Sequence, residues 1–557
     1  MNVGEARVRG LLEGTKQYVV PLFQRPYCWG NKEWRSLWED IVSLYSTEDD
    51  YTHFIGAVVT VPIPTLPAGV TKYLLIDGQQ RLVTIMILLS VLRDSDSTDR
   101  QVLKQEIQEN YLTNRFFEDE DYLRVLPTQG DREPFAAIIR QQPHDPHSSL
   151  TLAYRFFLAR VKEKVLDLDE EFDFRKLFSL IVGRINTVQI VLDQQDNPQL
   201  IFESLNGKGT PLTDADLIRN FVFMRIDKAD QQLSYHNDWF PMEQRLVQRR
   251  GRRQYYSVLT PFMRHLVMQR GVMVRKEDTY VKFQQYLERP GASPAKDELV
   301  EIAKSSELYL RLIKPETEPN PELRQRFQSV LDLEVTTCHP LALRLYHLHR
   351  DERLSLESFL RCIDSIESFM VRRVFGSRST RPLGRIFVTV CRDLVEDDLP
   401  QSILRLLDGA GWPEDVEFEN GFLNAPIYYL DQKKTKFVLI RLEGTLGGPR
   451  PDTLHGLETE HIFPQLPSPA WHEHLGHQGV AEAMPAIHRI GNLTLSEVNA
   501  AMSNRWFTEK KTFLAMSDLR LNKHFEDCES WGYQEITERG MALFKVARKI
   551  WPKQLGG

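Results

Sequence analysis

The sequence predicts an α+β chain that is predominantly helical, and three observations carry that expectation. The N-terminal third alternates short β-branched and aromatic runs with stretches of helical length. From about Asp227 to Asp408 apolar residues recur at three- and four-residue spacing, as in Phe359, Ile363, Ile366 and Phe369. The last third returns to short strand-like runs, one ending at His461 and one at Leu495. At 557 residues the chain is too long for a single core. The pattern divides it into domains at 1–226, 227–410 and 411–557.

Taken in order, Tyr18-Val-Val-Pro-Leu-Phe23 is strand-like, and Lys32 to Tyr45 is an amphipathic helix carrying Trp34, Trp38, Ile41 and Leu44. His53 to Val61 and Lys72 to Ile76 are β-type segments, with the Pro/Gly-rich Pro62 to Gly69 as the hairpin loop or flap between them. Arg81 to Leu92 has helical length, and Val188 to Leu192 is a further strand. Thr213 to Met224 is a helix with Thr213 as N-cap, Asp216 near its positive end, and Leu212 placed to staple onto Leu217. Gly409 to Pro413 and Gly447 to Pro451 are turns, and Lys434 to Leu442 between them is a helix or a strand.

Composition narrows the class. The chain is 42% hydrophobic and 26% charged, which suits a globular protein and argues against wholesale disorder. The longest apolar run, Leu82 to Leu92, is interrupted by Thr84 and Ser90 and is too short to span a bilayer, so no membrane partner is expected. The start Met1-Asn-Val-Gly-Glu has no basic and apolar leader. Five scattered cysteines without a Cys-x-x-Cys predict reduced thiols in a cytosol. A net charge of −7 argues against a generally polyanion-binding surface but leaves room for one basic groove. Two arginine clusters stand out: Arg245, Arg249, Arg250, Arg252 and Arg253 beside Tyr255 and Tyr256, and Arg372, Arg373, Arg378, Arg381 and Arg385. Solvated helix faces and phosphate contacts are equally good accounts of both.

The chemistry concentrates in Leu457-Glu-Thr-Glu-His-Ile-Phe-Pro-Gln465, followed by Arg489-Ile-Gly-Asn-Leu-Thr-Leu495, Asn499, Asn504 and Lys510. A carboxylate, Glu460, beside a histidine, His461, at the end of a short strand supplies a metal ligand and a base together. The Asn492 strand and the polar helix after it add an orienting amide and a second ligand, from Asn499 or Asn504. This is the layout of an HNH-type ββα-metal nuclease, in which histidine takes a proton from water and a divalent cation stabilises the transition state. The nearby histidines His455, His472, His474, His477 and His488 invite a zinc site. His472-Glu-His474 lacks the zinc-protease spacing and no cysteine lies close, so an accessible loop is the expected home of His472 to His477.

A second constellation is Leu74-Leu-Ile-Asp77-Gly78-Gln79-Gln80-Arg81. Gly78 permits a sharp turn, and Gln79, Gln80 and Arg81 then occupy the positive end of a helix, suited to a phosphate. Asp77 holds a metal–phosphate complex or orients Arg81. The competing account is an Asp-Gly turn with Arg81 paired to a carboxylate. Asn206 and Lys208, in the loop Phe202 to Leu212, complete a nucleotide pocket or merely enter the next helix. Upstream, two prolines stiffen Pro21 to Trp29, so that Phe23, Gln24, Arg25 and Tyr27 offer an apolar wall, an amide and a guanidinium for reading a DNA modification. A core edge strand is the alternative. Arg372 and Arg373 are next in line for that sensing role.

Phe23-Gln-Arg-Pro-Tyr, His53-Phe-Ile-Gly, Asp77-Gly-Gln-Gln-Arg, Pro127-Thr and Phe202-Glu-Ser-Leu-Asn resemble the N-terminal domain of GmrSD-type, modification-dependent (type IV) restriction enzymes. Glu460-His-Ile-Phe-Pro-Gln and Gly491-Asn-Leu-Thr-Leu resemble their C-terminal nuclease domain. The resemblance implies a ParB/sulfiredoxin-like NTPase and modification-sensing domain over 1–226, a helical linker over 227–410, and an HNH-type (His-Me finger) endonuclease over 411–557. It implies nucleotide handling, of GTP or ATP, by Asp77, Gln79, Gln80 and Arg81. It makes His461 the general base, Asn492 the residue that orients it, and Asn499 or Asn504 a ligand for Mg²⁺ or Mn²⁺. Asn499 is favoured because it lies nearer the strand end. Glu460 stands where many such nucleases carry Asp, which puts its ligand role in doubt.

The expected function is therefore an NTP-regulated, modification-dependent endonuclease acting on double-stranded DNA, in defence of a bacterial cytoplasm against phage. A DNA- or nucleotide-binding regulator with a vestigial nuclease domain, and an RNase or toxin, are the alternatives. A homo-oligomer is a further candidate partner.

Overall fold

The structure is a computed structural model that describes residues 2–21, 24–46, 51–63, 69–95, 101–167, 172–192, 213–250, 254–448, 456–497 and 499–553. Phe23, Asn206, Lys208, Leu212, most of the 62–69 loop, Arg252 and Arg253 lie outside these residues. The chain divides into two compact units, Met1–Phe240 with Gly291–Leu299, and Pro241–Pro290 with Val300–Gly557.

The first unit is built on six strands: β1 (Asn2–Arg7), β2 (Lys16–Val19), β3 (His53–Ile63), β4 (Thr71–Asp77), β5 (Val125–Leu126) and β6 (Ile185–Val191). Their order is β1-β6-β3-β4-β2-β5, with β1/β6 and β3/β4 antiparallel and β3/β6, β2/β4 and β2/β5 parallel. The expected segments are all present. The run from Tyr18 pairs only as far as Val19, before Pro21, which has no N–H to extend a ladder.

Helix Gln79–Asp94 is buried along almost its whole length, from Leu82 to Leu92. Being apolar on every side, it forms the middle of the core. Helices Asn31–Ser46, Ser149–Asp167 and Phe174–Arg184 surround it and contribute to one apolar cluster with Trp34, Trp38, Phe157 and Phe178. Thr213 caps helix Asp214–Phe223 through a capping box with Asp216, as the sequence predicts.

The second unit is helical around Leu356–Phe375, whose apolar stripe is the one seen in the sequence. The stretch from Asp227 to Asp408 is almost wholly helical, as expected; the exception among the described residues is a pair of strands, β7 (Val247–Arg250) and β8 (Gln254–Ser257), antiparallel with Arg249 opposite Tyr255. Glycine at 251 and the β-prone tyrosines favour a hairpin over a helix there. Lys434 to Leu442 belongs to helix Gln432–Thr445.

His472 to His477 lie on helix Pro469–Ala483 and not in a loop, although Gly476 (φ 70°) interrupts its helical backbone. Ala470 and Trp471 anchor that helix in an apolar cluster, which the surrounding polar residues obscure in the sequence. Two further strands, β9 (Glu458–His461) and β10 (Leu493–Ser496), pair antiparallel and lead into helices Asn499–Met502 and Phe507–Ala515. Among the described residues no helix is long and apolar enough to cross a membrane.

Candidate nuclease site and nucleotide cleft

Strand β9 carries Glu-Thr-Glu-His, polar residues that form a strand because β10, Leu-Thr-Leu-Ser, is buried beside it. Leu493 lies opposite His461 and Thr494 opposite Glu460. Successive side chains on a strand leave by opposite faces, so His461 and Glu460 are sent to opposite sides of the ribbon. The sequence puts a metal ligand, Glu460, and a base, His461, in one place, and the strand geometry sends the two side chains apart. Glu460 instead accepts from Lys510 Nζ at 2.6 Å, and Lys510 also donates to the His461 carbonyl at 2.6 Å. Burial raises the pKa of the Glu460 carboxyl and lowers that of the Lys510 ammonium, against their mutual attraction.

On its own face His461 is buried, with Nε2 3.2 Å from Nδ1 of His488. The Tyr428 ring stands edge-on to it, at 4.4 Å between centroids. Burial first, then His488 and Lys510, push the His461 pKa down to about 3, and burial lowers that of His488. Both imidazoles are therefore neutral at physiological pH.

Asn492 does not reach the imidazole. Its Oδ1 accepts from Phe463 N–H (2.8 Å) and Trp531 Nε1 (3.0 Å), and its Nδ2 donates to the carbonyls of Phe463 and Ile487 (both 2.8 Å). The amide imitates one more residue of a strand where Pro464 prevents the backbone from continuing the ladder. It thereby fixes the chain just beyond His461, a correction to the direct orienting role expected of it.

Behind Asn492, Arg539 is buried and donates to the carbonyls of Gly491 (2.9 Å) and Leu493 (2.7 Å). Burial lowers its pKa to about 9. Gly491 must be glycine, since a Cβ there would meet the Ile536 carbonyl at 2.1 Å.

The metal-ligand candidates fare less well. Asn499 begins a short helix and its side chain lies outside the described residues. Asn504 is exposed, and its carbonyl accepts from Trp471 Nε1 at 3.3 Å. No group of three or more His, Cys, Asp or Glu that could hold a metal ion occurs among the described residues. With Glu460 committed to Lys510, the described side chains do not by themselves fit a divalent cation.

In the first unit, the two N-terminal motifs turn out to be one brace. Gln24 Nε2 donates to the carbonyls of Leu75 (2.8 Å) and Ile76 (2.9 Å). Gln79 Nε2 donates to the Arg25 carbonyl (3.0 Å). Gln80 accepts from Cys28 N–H (2.9 Å) and donates to the Pro26 carbonyl (3.2 Å). Tyr27 is buried, its N–H on Asp131 (2.7 Å) and its hydroxyl shared by Thr84 (2.7 Å) and Trp34 Nε1 (2.8 Å). Gln24 and Tyr27 are thus core, not a surface for DNA, because a buried polar atom takes whatever partner the fold offers. The Gln79 and Gln80 amides are likewise occupied in holding the segment.

Gly78 (φ 99°) makes the turn into helix Gln79–Asp94, and a Cβ there would meet the Ala57 carbonyl at 3.1 Å. Arg81 pairs with Asp77 at 3.0 Å and lies over Gly56, where a Cβ would come within 2.4 Å of its Nη1. Beside it opens a cleft of about 330 Å³ whose lining includes Trp29, Lys32, Asp40, His53, Phe54 and Arg81. His53 Nε2 and Asp40 lie 3.1 Å apart in it.

Arg372 and Arg373 are buried. Arg372 donates to the carbonyls of Trp551 (2.7 Å) and Pro413 (3.1 Å) and to Asp415 (2.7 Å), while Arg373 donates to those of Gly411 (3.3 Å) and Ser379 (2.8 Å). They brace the helical unit and are withdrawn from the sensing role. His488, Tyr428 and Arg539 are the residues of consequence that sequence reasoning missed. In the sequence His488 is one of several histidines without zinc-site spacing, and its pairing with His461 across 27 residues has no local signal.

Residues 8–223 match the family model of the GmrSD restriction endonuclease N-terminal domain, and residues 412–546 match that of the GmrSD restriction endonuclease C-terminal domain. No curated protein matches the chain. With both domains in one polypeptide, in that order and around the two sites just described, the chain belongs to the GmrSD restriction endonucleases, hydrolases that act on DNA.

Proposed function

We propose that this restriction endonuclease is NTP-regulated and modification-dependent, cutting foreign DNA in a bacterial cytoplasm with His461 as general base. The observation that carries this is the His461 imidazole, neutral and fixed at the end of a strand whose backbone is clamped by Lys510 and Asn492. The β9–β10 pair running into helix Phe507–Ala515 supports an HNH-type ββα arrangement.

His461 takes a proton from water as the water oxygen bonds to phosphorus. Burial of the ring holds it unprotonated beforehand, and the negative charge of an arriving phosphodiester opposes the depression of its pKa, strengthening it as a base when DNA is bound. A divalent cation, Mg²⁺ or Mn²⁺, is proposed from the family. The described side chains do not fit it unaided.

GTP or ATP is assigned to the cleft at Arg81, where Arg81 and Lys32 offer donors to phosphate oxygens and Trp29 and Phe54 an apolar wall. Asp77 holds the Arg81 fork in place. Because Gln79 and Gln80 bind the 25–28 backbone, occupation of that cleft is positioned to act on the segment next to it. The test is digestion of phage DNAs of differing modification, with and without each NTP. Cleavage of modified DNA alone, altered by one NTP, is the expected result. Equal cleavage of all DNAs, indifferent to nucleotide, would overturn it.

A further inference from the structure

We propose that His488 is the positioning residue that sets the tautomer of His461. The inference rests on the proposed role of His461 as base. Among the described residues, His488 is the hydrogen-bond partner of the His461 ring, while the Asn492 amide is spent on Phe463, Ile487 and Trp531.

Two neutral imidazoles 3.2 Å apart share one proton between the facing nitrogens. If His488 donated, His461 Nε2 would be its acceptor and His461 Nδ1 would carry the ring proton. No lone pair would then remain for water. If His461 donates through Nε2–H, its Nδ1 lone pair is free, and only that tautomer is a base.

The surroundings keep both rings in register. Tyr428 stands at 83° to His461 and lies at 10° to His488, with 5.8 Å between the latter centroids. The Tyr428 N–H donates to the His488 carbonyl at 3.3 Å, so the wall and the acceptor are tied together. His488 is only half-buried, whereas His461 is buried, and the Nε2–H tautomer of His488 is the one that leaves its Nδ1 as acceptor.

In the step itself an O–H bond of water breaks as its oxygen bonds to phosphorus, and the proton passes to His461 Nδ1. The imidazolium keeps its Nε2–H on His488 Nδ1. The bond from phosphorus to the leaving oxygen breaks, that oxygen takes a proton from solvent, and His461 returns its proton to solvent.

The experiment compares H488F, H488N and H461A with the full-length wild type, on cleavable DNA with Mg²⁺ or Mn²⁺, alongside thermal melting. Phenylalanine keeps the ring without the acceptor. Asparagine places an amide oxygen near the position of Nδ1. H488F is expected to lose about ten- to a hundred-fold in kcat with KM little changed, and H488N to recover most of it. Should H488F not fold, H488A takes its place, with imidazole added to the buffer as the rescuing acceptor. Wild-type kcat in H488F, or equal losses in H488F and H488N at normal melting temperature, would overturn the proposal. So would restoration of H488F by excess Mn²⁺, which would make His488 a metal ligand. Failure of the underlying account shows separately, as retained cleavage by H461A.

Discussion

Lys510 and Glu460 form an ion pair with both side chains out of water, 0% and 4% exposed, at 2.6 Å. The same ammonium holds the carbonyl of His461, so the pair fixes His461 from behind. An isolated buried charge is costly, and removing one partner of such a pair typically costs about 3–5 kcal/mol. Lys510→Met should therefore destabilise the protein by that order in urea denaturation. Lys510→Met combined with Glu460→Leu should regain most of the loss. Cleavage that returns with stability would free Glu460 of any ligand role. A double variant that is stable but inactive would show that the pair serves cleavage beyond stability, through the His461 carbonyl or through Glu460 itself.

Asn492 makes its bonds to backbone and to Trp531, so its effect on catalysis runs through the chain after His461. Asn492→Ala leaves several buried partners unmet, at about 1–3 kcal/mol each before relaxation. Melting temperature and cleavage should fall together. A variant that melts like the wild type and has lost cleavage would return Asn492 to a direct role.

In the first unit, Arg81→Ala and Gln80→Ala should separate. Under the proposed nucleotide assignment, Arg81→Ala removes charge-assisted contacts to phosphate, and nucleotide affinity should fall by roughly 1.5–3 kcal/mol, about ten- to a hundred-fold. Gln80→Ala unpins Cys28 and Pro26 and should show first as lower stability. Isothermal titration with GTP and ATP, beside urea denaturation, distinguishes them. Unchanged nucleotide affinity in Arg81→Ala would leave the Asp77–Arg81 pair as a turn brace only.

The helical unit is expected to be acid-labile. Burial lowers the pKa of His339 to about 4, and that of His347 likewise. Unfolded, each has a pKa near 6.5, so between about pH 6.5 and 4 the unfolded chain binds more protons than the folded one. The stability is present above pH 6.5 and is lost as the pH falls toward 4. For the fully buried His339 the loss is about 2 kcal/mol by pH 5. His339→Phe should flatten the fall in urea midpoint between pH 7.5 and pH 5. An unchanged slope would refute the assignment.

Much of this was legible in the residues. Regular spacing marked helix Leu356–Phe375, and β-branched runs marked β3, β4 and β6, because local pattern and tertiary burial agree there. The His461 strand and the Asp-Gly turn at Gly78 were equally visible. What escaped was partnership across distance. Nothing local says that Lys510 meets Glu460 fifty residues away, that Asn492 serves Phe463, or that Gln79 and Gln80 bind the segment after Gln24. Neither account weighed for Arg372, a solvated face or a phosphate contact, foresees its burial, because sequence shows charge and not burial.

The central claim is tested most directly by nicking and linearisation of cleavable DNA with Mg²⁺ or Mn²⁺, wild type against His461→Ala. Loss of a general base typically costs about two to four orders of magnitude in rate. The variant should fall by that much while its melting temperature and nucleotide binding stay near those of the wild type. Undiminished cleavage by a folded His461→Ala protein would contradict the account.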